Sequence, residues 1–373
     1  MQSDEIYDIA VCGAGLNGLA AALALGGPGN RTPLRVAIVD MRDPALARHA
    51  AFDGRASAIT EAARRMFEAM GVWEALAPHA EPMREIIVTD GRADSPRPTL
   101  LHFGPGHQPG GPSAHMVENR HLLAALHDAV LAAPDITQKT GHAVAEFSFT
   151  GPHAVLHLAN GEVVKARLAI AADGRHSPAR KAAGIDTIGW AYGQSGIVTT
   201  VAHDAPHGGR AEEHFLPSGP FAILPLPGNL SSLVWTEASA DAEPLVALDD
   251  EAFLAELKRR FGDHLGEVRL AGPRQAWPLG LFIAKSLTAP RLALLGDAAH
   301  VVHPIAGLGF NLGLRDAAAL ADAVMAQFRL GLDPGGPQAL AAYERWRRTD
   351  TLMVAAATDG LNRLFSNDVE ALR

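Results

Sequence analysis

Short apolar runs alternate with segments of helical periodicity along the chain, a pattern typical of an α/β protein. Four runs, at residues 6–11, 35–39, 168–172 and 292–295, are almost continuously apolar. Strands of a parallel sheet have this composition, because helices cover both faces of the sheet. We therefore predict a Rossmann-like parallel sheet whose strands are followed by helices.

A second group of short β-rich runs, separated by proline and glycine, predicts an antiparallel sheet inserted into the first domain. These runs lie at residues 86–88, 99–103, 197–202, 213–215, 222–226 and 232–236. Their large apolar residues either line a ligand pocket or form ordinary core: Phe215, Leu216, Phe221, Ile223, Leu224, Leu226 and Trp235. Helical periodicity returns at residues 249–261, 310–330 and 338–365, so helices complete the C-terminal part of the fold.

Composition narrows the class of protein. The 373 residues are 48% hydrophobic and 20% charged, so the chain can bury a large core. A net charge of -9 argues against nucleic-acid binding and against electrostatic attraction to anionic lipid. The single cysteine, Cys12, excludes an internal disulfide, and no histidines have metal-ligand spacing, so we expect no metal. Without a signal peptide or an apolar run long enough to span a bilayer, we expect a cytoplasmic protein.

The first candidate site directly follows the first predicted strand. Gly13, Gly15 and Gly18 form the pattern Gly-x-Gly-x-x-Gly, which leads into an alanine-rich helix. In such a loop the first glycine permits a tight turn, the second lets the backbone approach a pyrophosphate, and the third lets helix and strand pack closely. Asp40 ends the second strand, where a carboxylate accepts hydrogen bonds from ribose hydroxyls. Together these residues predict a bound dinucleotide.

Two arginines are further candidates for contact with this ligand. Arg55 lies in a loop before a predicted helix at residues 61–70, and it either meets the ligand or is simply exposed. Arg120 falls in the first turn of another predicted helix, where a cation opposes the helix dipole unless it has an anionic partner. A contact with a ligand phosphate or ribityl chain would supply that partner.

Two later strand ends carry an aspartate and a glycine. Asp173 and Gly174 follow the third apolar run, although Asp-Gly is also a common turn pair with no ligand. Gly296 and Asp297 follow the fourth run. Ligands of α/β sheets bind beyond the carboxyl ends of the strands, so Asp297 is the strongest single candidate for a ligand contact.

A glycine-bearing loop, from Pro304 to Asn311, joins the last of these strands to a long helix. Gly307 and Gly309 lack a Cβ atom, so the backbone can approach a flat ligand closely. The helix is predicted to begin near Phe310 and to direct free N–H groups and a positive dipole end at the ligand. Such a loop suits a ring that becomes anionic, whereas a glycine-rich turn without a ligand is the alternative.

Three separated signatures thus follow one another along the chain: residues 13–18, residues 173–174, and residues 296–297 with the loop at residues 304–311. Together they resemble the single-component FAD-dependent aromatic hydroxylases of the para-hydroxybenzoate hydroxylase fold. The similarity is greatest to the ubiquinone-biosynthesis hydroxylases and covers nearly the whole chain. Besides the glycine loop, it is carried by residues 117–120, 172–177, 215–220, 223–225, 234–236 and 295–307. The chain departs from the family at Leu308, where glutamine is usual, and the family usually continues past residue 373 with a further helical segment.

The resemblance implies a cofactor and its ligands. For FAD these are Gly13, Gly15 and Gly18 at the pyrophosphate, Asp40 at the adenosine ribose, Asp297 at the ribityl chain, and Pro304, Gly307, Gly309 and Asn311 around the isoalloxazine ring. Asp173 and Gly174 would serve both FAD and passing NAD(P)H. No catalytic residue is assigned, and structural roles are expected for His300 and His303. The implied FAD-binding domain comprises residues 1–75, 105–184 and 285–373, and the substrate-binding sheet comprises residues 76–104 and 185–284.

The implied reaction is hydroxylation of a prenylated phenol in ubiquinone biosynthesis. FAD is reduced by NAD(P)H, O2 adds to give a flavin C4a-hydroperoxide, and one oxygen is transferred to the aromatic ring. The resemblance also allows a ubiquinone-biosynthesis complex and a peripheral contact with the inner membrane. One alternative is hydroxylation of another aromatic substrate, and another is an FAD-containing structural subunit without catalysis. A flavin halogenase lacks support, because no two tryptophans lie two residues apart.

Overall fold

A computed structural model of the protein describes residues 5–43, 53–93, 97–104, 111–367 and 369. The strands are β1 Ile6–Cys12, β2 Val36–Asp40, β3 Ala56–Thr60, β4 Glu81–Met83, β5 Glu85–Asp90, β6 Thr99–Phe103, β7 Ala114–Glu118, β8 Ile136–Thr140, β9 Val144–Ser148, β10 Ala154–Leu158, β11 Val163–Ala171, β12 Thr187–His203, β13 Arg210–Leu216, β14 Gly219–Leu226, β15 Leu230–Ala238, β16 Val268–Leu270, β17 Gln275–Ala284, β18 Thr288–Ala289, β19 Leu292–Leu294 and β20 His300–Val301. The α-helices are α1 Leu16–Gly26, α2 Glu61–Ala69, α3 Trp73–Leu76, α4 Asn119–Ala132, α5 Pro178–Ala182, α6 Ser239–Ala247, α7 Asp250–Phe261, α8 Leu308–Phe328 and α9 Pro337–Phe365. Short 3-10 turns lie at Ala77–His79, Gly296–Ala298 and Ile305–Gly307.

The first sheet has parallel strands in the order β19, β11, β1, β2 and β8. The antiparallel strand β18 extends one edge, and the β9–β10 hairpin pairs with the first half of β11. Buried residues of α1, α4 and α8 form one apolar core with the central strands. This confirms the predicted Rossmann-like sheet, whose apolar strands are covered on both faces.

The second sheet has the order β20, β17, β12, β15, β14, β13, β5 and β6, with β16 paired to β12. Its strand pairs are antiparallel except for β13 with β5. Helices α6 and α7 cover one face, which we call the outer face. The opposite, inner face packs against a small antiparallel sheet in the order β3, β7 and β4.

Strand alternation divides the apolar pocket candidates between these two faces. Four of them belong to the core with α6 and α7 on the outer face, so core packing is correct for Leu216, Phe221, Ile223 and Trp235. Three point the other way: Leu224 and Leu226 pack against the small sheet, and Phe215 stacks on Phe365 of α9. Only the inner face therefore remains available to line a substrate cleft.

The predicted division into five segments stays a prediction. Within residues 76–104, β5 and β6 hydrogen-bond into the nine-stranded sheet, whereas β4 pairs with β7 of the small sheet. The predicted boundaries at residues 1, 105 and 373 lie outside the described residues. In the part of the chain that the structure describes, no helix is both long and apolar enough to cross a bilayer.

A buried ion-pair network fastens α8 and α9 to the turn after β19. Asp316 of α8 is inaccessible to solvent, and its Oδ1 accepts a hydrogen bond from Nε of Arg347 at 2.6 Å. Its Oδ2 lies 2.6 Å from Nε2 of His300 and accepts from the N–H of Gly296 at 3.1 Å. The structural role expected for His300 is therefore confirmed.

We predict that Asp316→Ala lowers the free energy of unfolding by about 3–5 kcal/mol, because it removes the buried acceptor of His300 and Gly296 and leaves the buried Arg347 with Asp350 as its remaining carboxylate partner. Urea unfolding followed by circular dichroism measures the loss. Asp263→Ala is the matched control, since Asp263 pairs with Lys258 at an exposed site and such pairs contribute less than about 1 kcal/mol. Equal losses in the two variants would contradict a stabilising buried network.

Candidate functional site

The glycine loop after β1 packs directly against the turn after β11. Gly13 has a φ of +108°, and a Cβ atom added there would lie 2.3 Å from the carbonyl oxygen of Ala172. A Cβ atom on Gly18 would lie 2.0 Å from the carbonyl oxygen of Gly13. Both positions require glycine, because no side chain can occupy space already filled by backbone. The first two signatures of the sequence are therefore in contact.

Gly15 differs from these two glycines because it faces open space. It is the N-cap of α1, and a Cβ atom there would meet nothing within 4 Å. Among the described residues, no side chain caps α1, and its first turn contains no acidic residue. The first N–H groups of the helix are thus available to bind an anion. A ligand phosphate has both room and hydrogen-bond donors at this loop.

Asp40 ends β2 beside the same loop. Its Oδ2 accepts a hydrogen bond from the N–H of Ala14 at 2.6 Å, and its Oδ1 accepts from the N–H of Arg42 at 2.7 Å. The pKa of the Cys12 thiol is raised well above its ordinary value, mainly by burial and then by the negative charges of Asp173 and Asp40. Both aspartates therefore lie close to the end of β1, and Asp40 is partly exposed there.

Asp173 follows β11 and has one carboxylate oxygen without a partner. Its Oδ2 accepts from the N–H of Ala179 at 3.1 Å, whereas the buried Oδ1 has no hydrogen-bond partner among the described residues. Burial raises the pKa of this carboxyl, although hydrogen bonds from Ser177 and Ala179 oppose the rise. Gly174, at a φ of +85°, has open space where a Cβ atom would lie. An unsatisfied buried acceptor beside open space is more typical of a ligand contact than of a simple turn.

Asn17 joins the glycine loop to the third signature. A Cβ atom on Gly296 would lie 2.5 Å from its Nδ2, and one on Gly313 of α8 would lie 2.4 Å from the same atom. Its buried Oδ1 has no hydrogen-bond partner within the described part of the chain. Sequence reasoning missed Asn17, because it occupies a variable position of the glycine pattern. Its only signal is a polar residue at the start of an otherwise apolar helix.

Asp297 lies in the 3-10 turn after β19, and we call the region between this turn and β17 the cleft. Its side chain is accessible to solvent, yet protein surrounds it closely enough that desolvation raises the pKa of the carboxyl. His300, Arg175 and Arg55 oppose that rise through their positive charges, so the two arginines approach Asp297 from other segments. A carboxylate in this position can accept hydrogen bonds from a ligand that displaces water from the cleft.

Arg55 and Arg175 both reach from the first domain to β17. The guanidinium of Arg55 pairs with Asp53 at 2.6 Å and lies over the ring of Trp277, 5.1 Å from its centroid. Arg175, which was not selected from the sequence, lies 5.1 Å from the ring centroid of Phe282. Each arginine thus stacks on an aromatic ring of the second sheet. The cleft beside Asp297 therefore lies between the two sheets.

The predicted ligand contact of Arg120 rested on its need for an anionic partner, and the protein itself supplies one. Nη2 of Arg120 lies 2.7 Å from Oε2 of Glu118, the N-cap residue of α4. Nε2 of His121 lies 3.2 Å from the same oxygen. The argument from the helix dipole thus no longer requires a cofactor phosphate at Arg120.

The loop after β20 turns directly into α8. The N–H of Gly307 donates to the carbonyl oxygen of Pro304 at 2.9 Å, which closes a 3-10 turn. Gly307 adopts a left-handed conformation with a φ of +60° and is the N-cap of the helix. The helix therefore begins at Leu308, two residues before the predicted start near Phe310, because no extended residue separates the two helical turns.

The residues of this loop have different surroundings. Gly307 packs against β3, since a Cβ atom there would lie 3.3 Å from the Cβ atom of Ala58, whereas Gly309 faces open space. The amide of Asn311 is buried: its Nδ2 donates to the carbonyl oxygen of Ala58 at 2.6 Å, and its Oδ1 accepts from the N–H of Thr60 at 3.1 Å. The side chain of Asn311 therefore fastens α8 to β3, which leaves Gly309 as the more open position toward a ring.

A family model described as an FAD binding domain matches residues 6–372. The chain belongs to this family. FAD is therefore its cofactor, and the predicted resemblance is confirmed. Ubiquinone hydroxylase UbiL of Rhodospirillum rubrum is 46% identical over 98% of this chain and 83% of the relative. The 3-demethoxyubiquinol 3-hydroxylase of Escherichia coli is 33% identical over 100% of this chain and 93% of the relative.

Solved structures of more distant proteins share the fold. PqsL of Pseudomonas aeruginosa, in complex with 2-aminobenzoylacetate, has a TM-score of 0.82 at 22% identity over 97% of each chain. The p-nitrophenol 4-monooxygenase PnpA of Pseudomonas putida has a TM-score of 0.78 at 19% identity, over 98% of this chain and 91% of that one. At these identities the similarity establishes the fold alone.

The residues that the structure brings together fit FAD. Open space lies where Cβ atoms would be on Gly15, Gly174 and Gly309, so a ligand can approach the backbone in all three loops. Asp173 has an unsatisfied buried acceptor, and Asp297 lines the cleft, so both carboxylates have capacity for a polar ligand. Individual contacts with the cofactor stay predictions.

Two glycine substitutions separate the fold of the loop from its contact with the cofactor. We predict that Gly15→Ala changes the free energy of unfolding of the apoprotein by less than about 1 kcal/mol, because the methyl group has room and an N-cap change is modest. The same methyl group should weaken FAD binding by about tenfold or more, equal to about 1.4 kcal/mol. FAD fluorescence titration measures the affinity.

Gly13→Ala is the contrasting variant, because its added methyl group meets the carbonyl oxygen of Ala172. It should destabilise the apoprotein by about 1–3 kcal/mol through backbone strain. Wild-type FAD affinity in Gly15→Ala would show that no phosphate approaches this part of the loop.

Proposed function

We propose that the protein is an FAD-dependent monooxygenase that hydroxylates the aromatic ring of a prenylated phenol in ubiquinone biosynthesis. The observation that carries the proposal is the convergence of three strand-end loops on one cleft. The 46% identity with a ubiquinone hydroxylase over nearly the whole chain also supports the proposal. NAD(P)H is the proposed reductant and O2 the proposed source of the oxygen atom.

Bound FAD supplies the redox chemistry, since it takes electrons from NAD(P)H and activates O2. The protein contributes binding and orientation through its own groups. The N-terminus of α1 is proposed to hold the pyrophosphate, Asp40 and Asp297 to accept ribose and ribityl hydroxyls, and the backbone at Gly309 to approach the ring. Asp173 and Gly174 are proposed to contact FAD and passing NAD(P)H.

The inner face of the second sheet is proposed to form the substrate side of the cleft. Its strands β13 and β14 present Phe215, Ala222 and Leu224. The ring of Phe215 stacks on that of Phe365, with 4.4 Å between the ring centroids. The stacked rings bring the end of α9 onto the same face, where it narrows access. An apolar enclosure of this kind binds a prenyl chain and excludes water from the reacting ring.

Oxygen labelling tests the proposed reaction. In the presence of NAD(P)H, labelled dioxygen and a prenylated phenol, we predict a product that carries one labelled oxygen, identified by mass spectrometry. The oxygen must come from O2 if the flavin transfers it. Label that comes from water instead contradicts the proposal, as does NAD(P)H consumption that yields only hydrogen peroxide with every prenylphenol tested. A structural subunit without catalysis would instead show no NAD(P)H consumption in response to the phenol.

We further propose a peripheral contact with the inner membrane, which rests on the lipid-like substrate class and on an apolar strip of α9. Trp346 and Met353 are 57% and 67% exposed, and their separation of seven residues places them on one side of the helix. The net charge of -9 disfavours electrostatic attraction to anionic lipid. The proposed contact is therefore apolar and insensitive to salt.

Sedimentation with phosphatidylcholine vesicles tests this contact. We predict that Met353→Glu lowers the affinity for the vesicles by about tenfold or more, because burial of one such side chain contributes about 1.5–3 kcal/mol. Leu131→Glu on α4 is the control, since Leu131 is also exposed but lies on another helix, and it should leave binding unchanged. Equal effects of the two substitutions would refute a specific contact through α9.

A further inference from the structure

Two adjacent glutamates of β13 lie in opposite environments. Glu212 points to the outer face, where its carboxylate lies 2.9 Å from Nε2 of His264 and 3.1 Å from Nε2 of His214. Burial raises its pKa, but hydrogen bonds from these histidines and their positive charges outweigh burial and lower the pKa to about 2. Glu213 must point to the inner face, because successive side chains of a strand alternate.

The surroundings of Glu213 are apolar. Along β13, Ala211 and Phe215 flank it on the same face, and across the sheet it is aligned with Ala222 of β14 and Val88 of β5. Desolvation by these neighbours raises its pKa to about 7. No hydrogen bond or ion pair to its carboxyl occurs within the described residues, and the residue as a whole is half-buried. Its carboxyl is thus an unpaired polar group on the apolar inner face.

Apolar contacts connect this part of the inner face to the loop at the N-terminus of α8. Ala211 belongs to the same apolar cluster as Ala58 of β3, and Ala58 is the residue on which Gly307 packs. On the other side, Phe215 stacks on Phe365, at the end of α9. Glu213 therefore lies between the wall formed by α9 and the wall that supports the ring-binding loop.

We propose that Glu213 is the catalytic base, which binds the hydroxyl group of the phenol and accepts its proton during hydroxylation. This inference rests on the proposed function. An ionised carboxylate without a partner is costly in an apolar cleft, and a phenol O–H is a donor that can satisfy it. Carboxylates in such positions are frequent functional groups.

The proton balance of this step is simple. The phenol O–H bond breaks, an O–H bond forms on the carboxylate of Glu213, and the electron pair left on the phenolic oxygen makes the ring a better nucleophile toward the transferred oxygen. The hydroxylated ring then loses its own C–H proton, which balances the proton that the oxygen donor takes up, and Glu213 returns the first proton to the phenolic oxygen of the product. The base is then ionised again, and no further oxidant or reductant is consumed by it.

Other titratable groups on the elements that pack against this face define the electrostatic background. They are Asp90 of β5, Glu81 of β4, Glu118 of β7, His303 of the loop before α8, and Asp359 and Arg363 of α9. None of them is a cause of the raised pKa of Glu213, for which desolvation is the cause. The raised pKa of Glu213 is therefore attributed to its burial and not to a neighbouring charge.

The test compares Glu213→Gln with Glu212→Gln in the FAD-loaded protein. In the wild type, the rate of phenol hydroxylation should rise with pH and level off above about 7, because the base must be ionised. Glu213→Gln should lose this pH dependence and about 10²–10⁴-fold in hydroxylation rate. Glu212→Gln should retain both, because its side chain faces the opposite side of the sheet.

Binding supplies a readout that does not depend on turnover. Flavin absorbance titrations should show that the wild type binds the phenol more tightly than its O-methyl ether, which has no proton to donate. The difference should vanish in Glu213→Gln and persist in Glu212→Gln. A merely structural glutamate would not distinguish a phenol from its ether.

Stability provides a third readout, which needs neither cofactor nor substrate. The raised pKa means that folded Glu213 stays protonated where the unfolded chain is ionised, so wild-type stability falls as pH rises from about 4.5 to about 7. Glu213→Gln lacks this loss and should gain melting temperature relative to wild type between pH 5 and pH 8. Glu212→Gln should lose melting temperature at pH 8, because its carboxylate is stabilised when ionised.

The outcomes separate this assignment from the proposed function. A wild-type protein that hydroxylates the phenol, with Glu213→Gln equally active or equally pH-dependent, overturns the role of Glu213 and leaves the function intact. A wild-type protein that neither hydroxylates nor binds the phenol overturns both. The assignment is also overturned if Glu213→Gln still binds the phenol more tightly than its O-methyl ether.

Discussion

The alignment of four strand ends in the first sheet is the constraint on which the site depends. The N–H of Gly13 donates to Val39, that of Ala172 donates to Cys12, and that of Leu295 donates to Ala171, at 2.8–2.9 Å. These hydrogen bonds continue the parallel ladders by one residue, so each loop leaves the sheet at the same edge. Three loops far apart in sequence thereby present backbone donors, carboxylates and glycines to one cleft.

The parts of the site that the sequence predicts are the local ones. Glycines at turns, an aspartate after an apolar strand and a helix start are properties of a few adjacent residues, and the structure has them in place. Asn17 and Arg175 could not be found in this way, because their significance comes from Gly296 and Phe282, more than 100 residues distant. Asn311 shows another long-range role that the sequence does not reveal, since its amide holds β3, and its predicted contact with the cofactor stays a prediction.

The second sheet was harder to predict for a related reason. Most of its central strands are buried on both faces, so their sequences lack the alternation that would identify an inner and an outer side. The helices α6 and α7 determine which side is outer, and they take Phe221 and Trp235 into the core. Glu213 was overlooked because Glu212 precedes it, and two adjacent glutamates resemble a solvated edge until the sheet places one on each face.

Residues of α9 connect the stability of the fold to the shape of the cleft. Near its middle, Arg347 binds Asp316, and the hydroxyl of Tyr343 donates to the carbonyl oxygen of Leu294 at 2.7 Å. Near its end, Phe365 stacks on Phe215 of the second sheet. One helix is thus fixed to the strand that precedes Asp297 and also closes the wall beside the inner face. Because the helix is continuous between these contacts, the buried anchor at Asp316 also determines where Phe365 meets the second sheet.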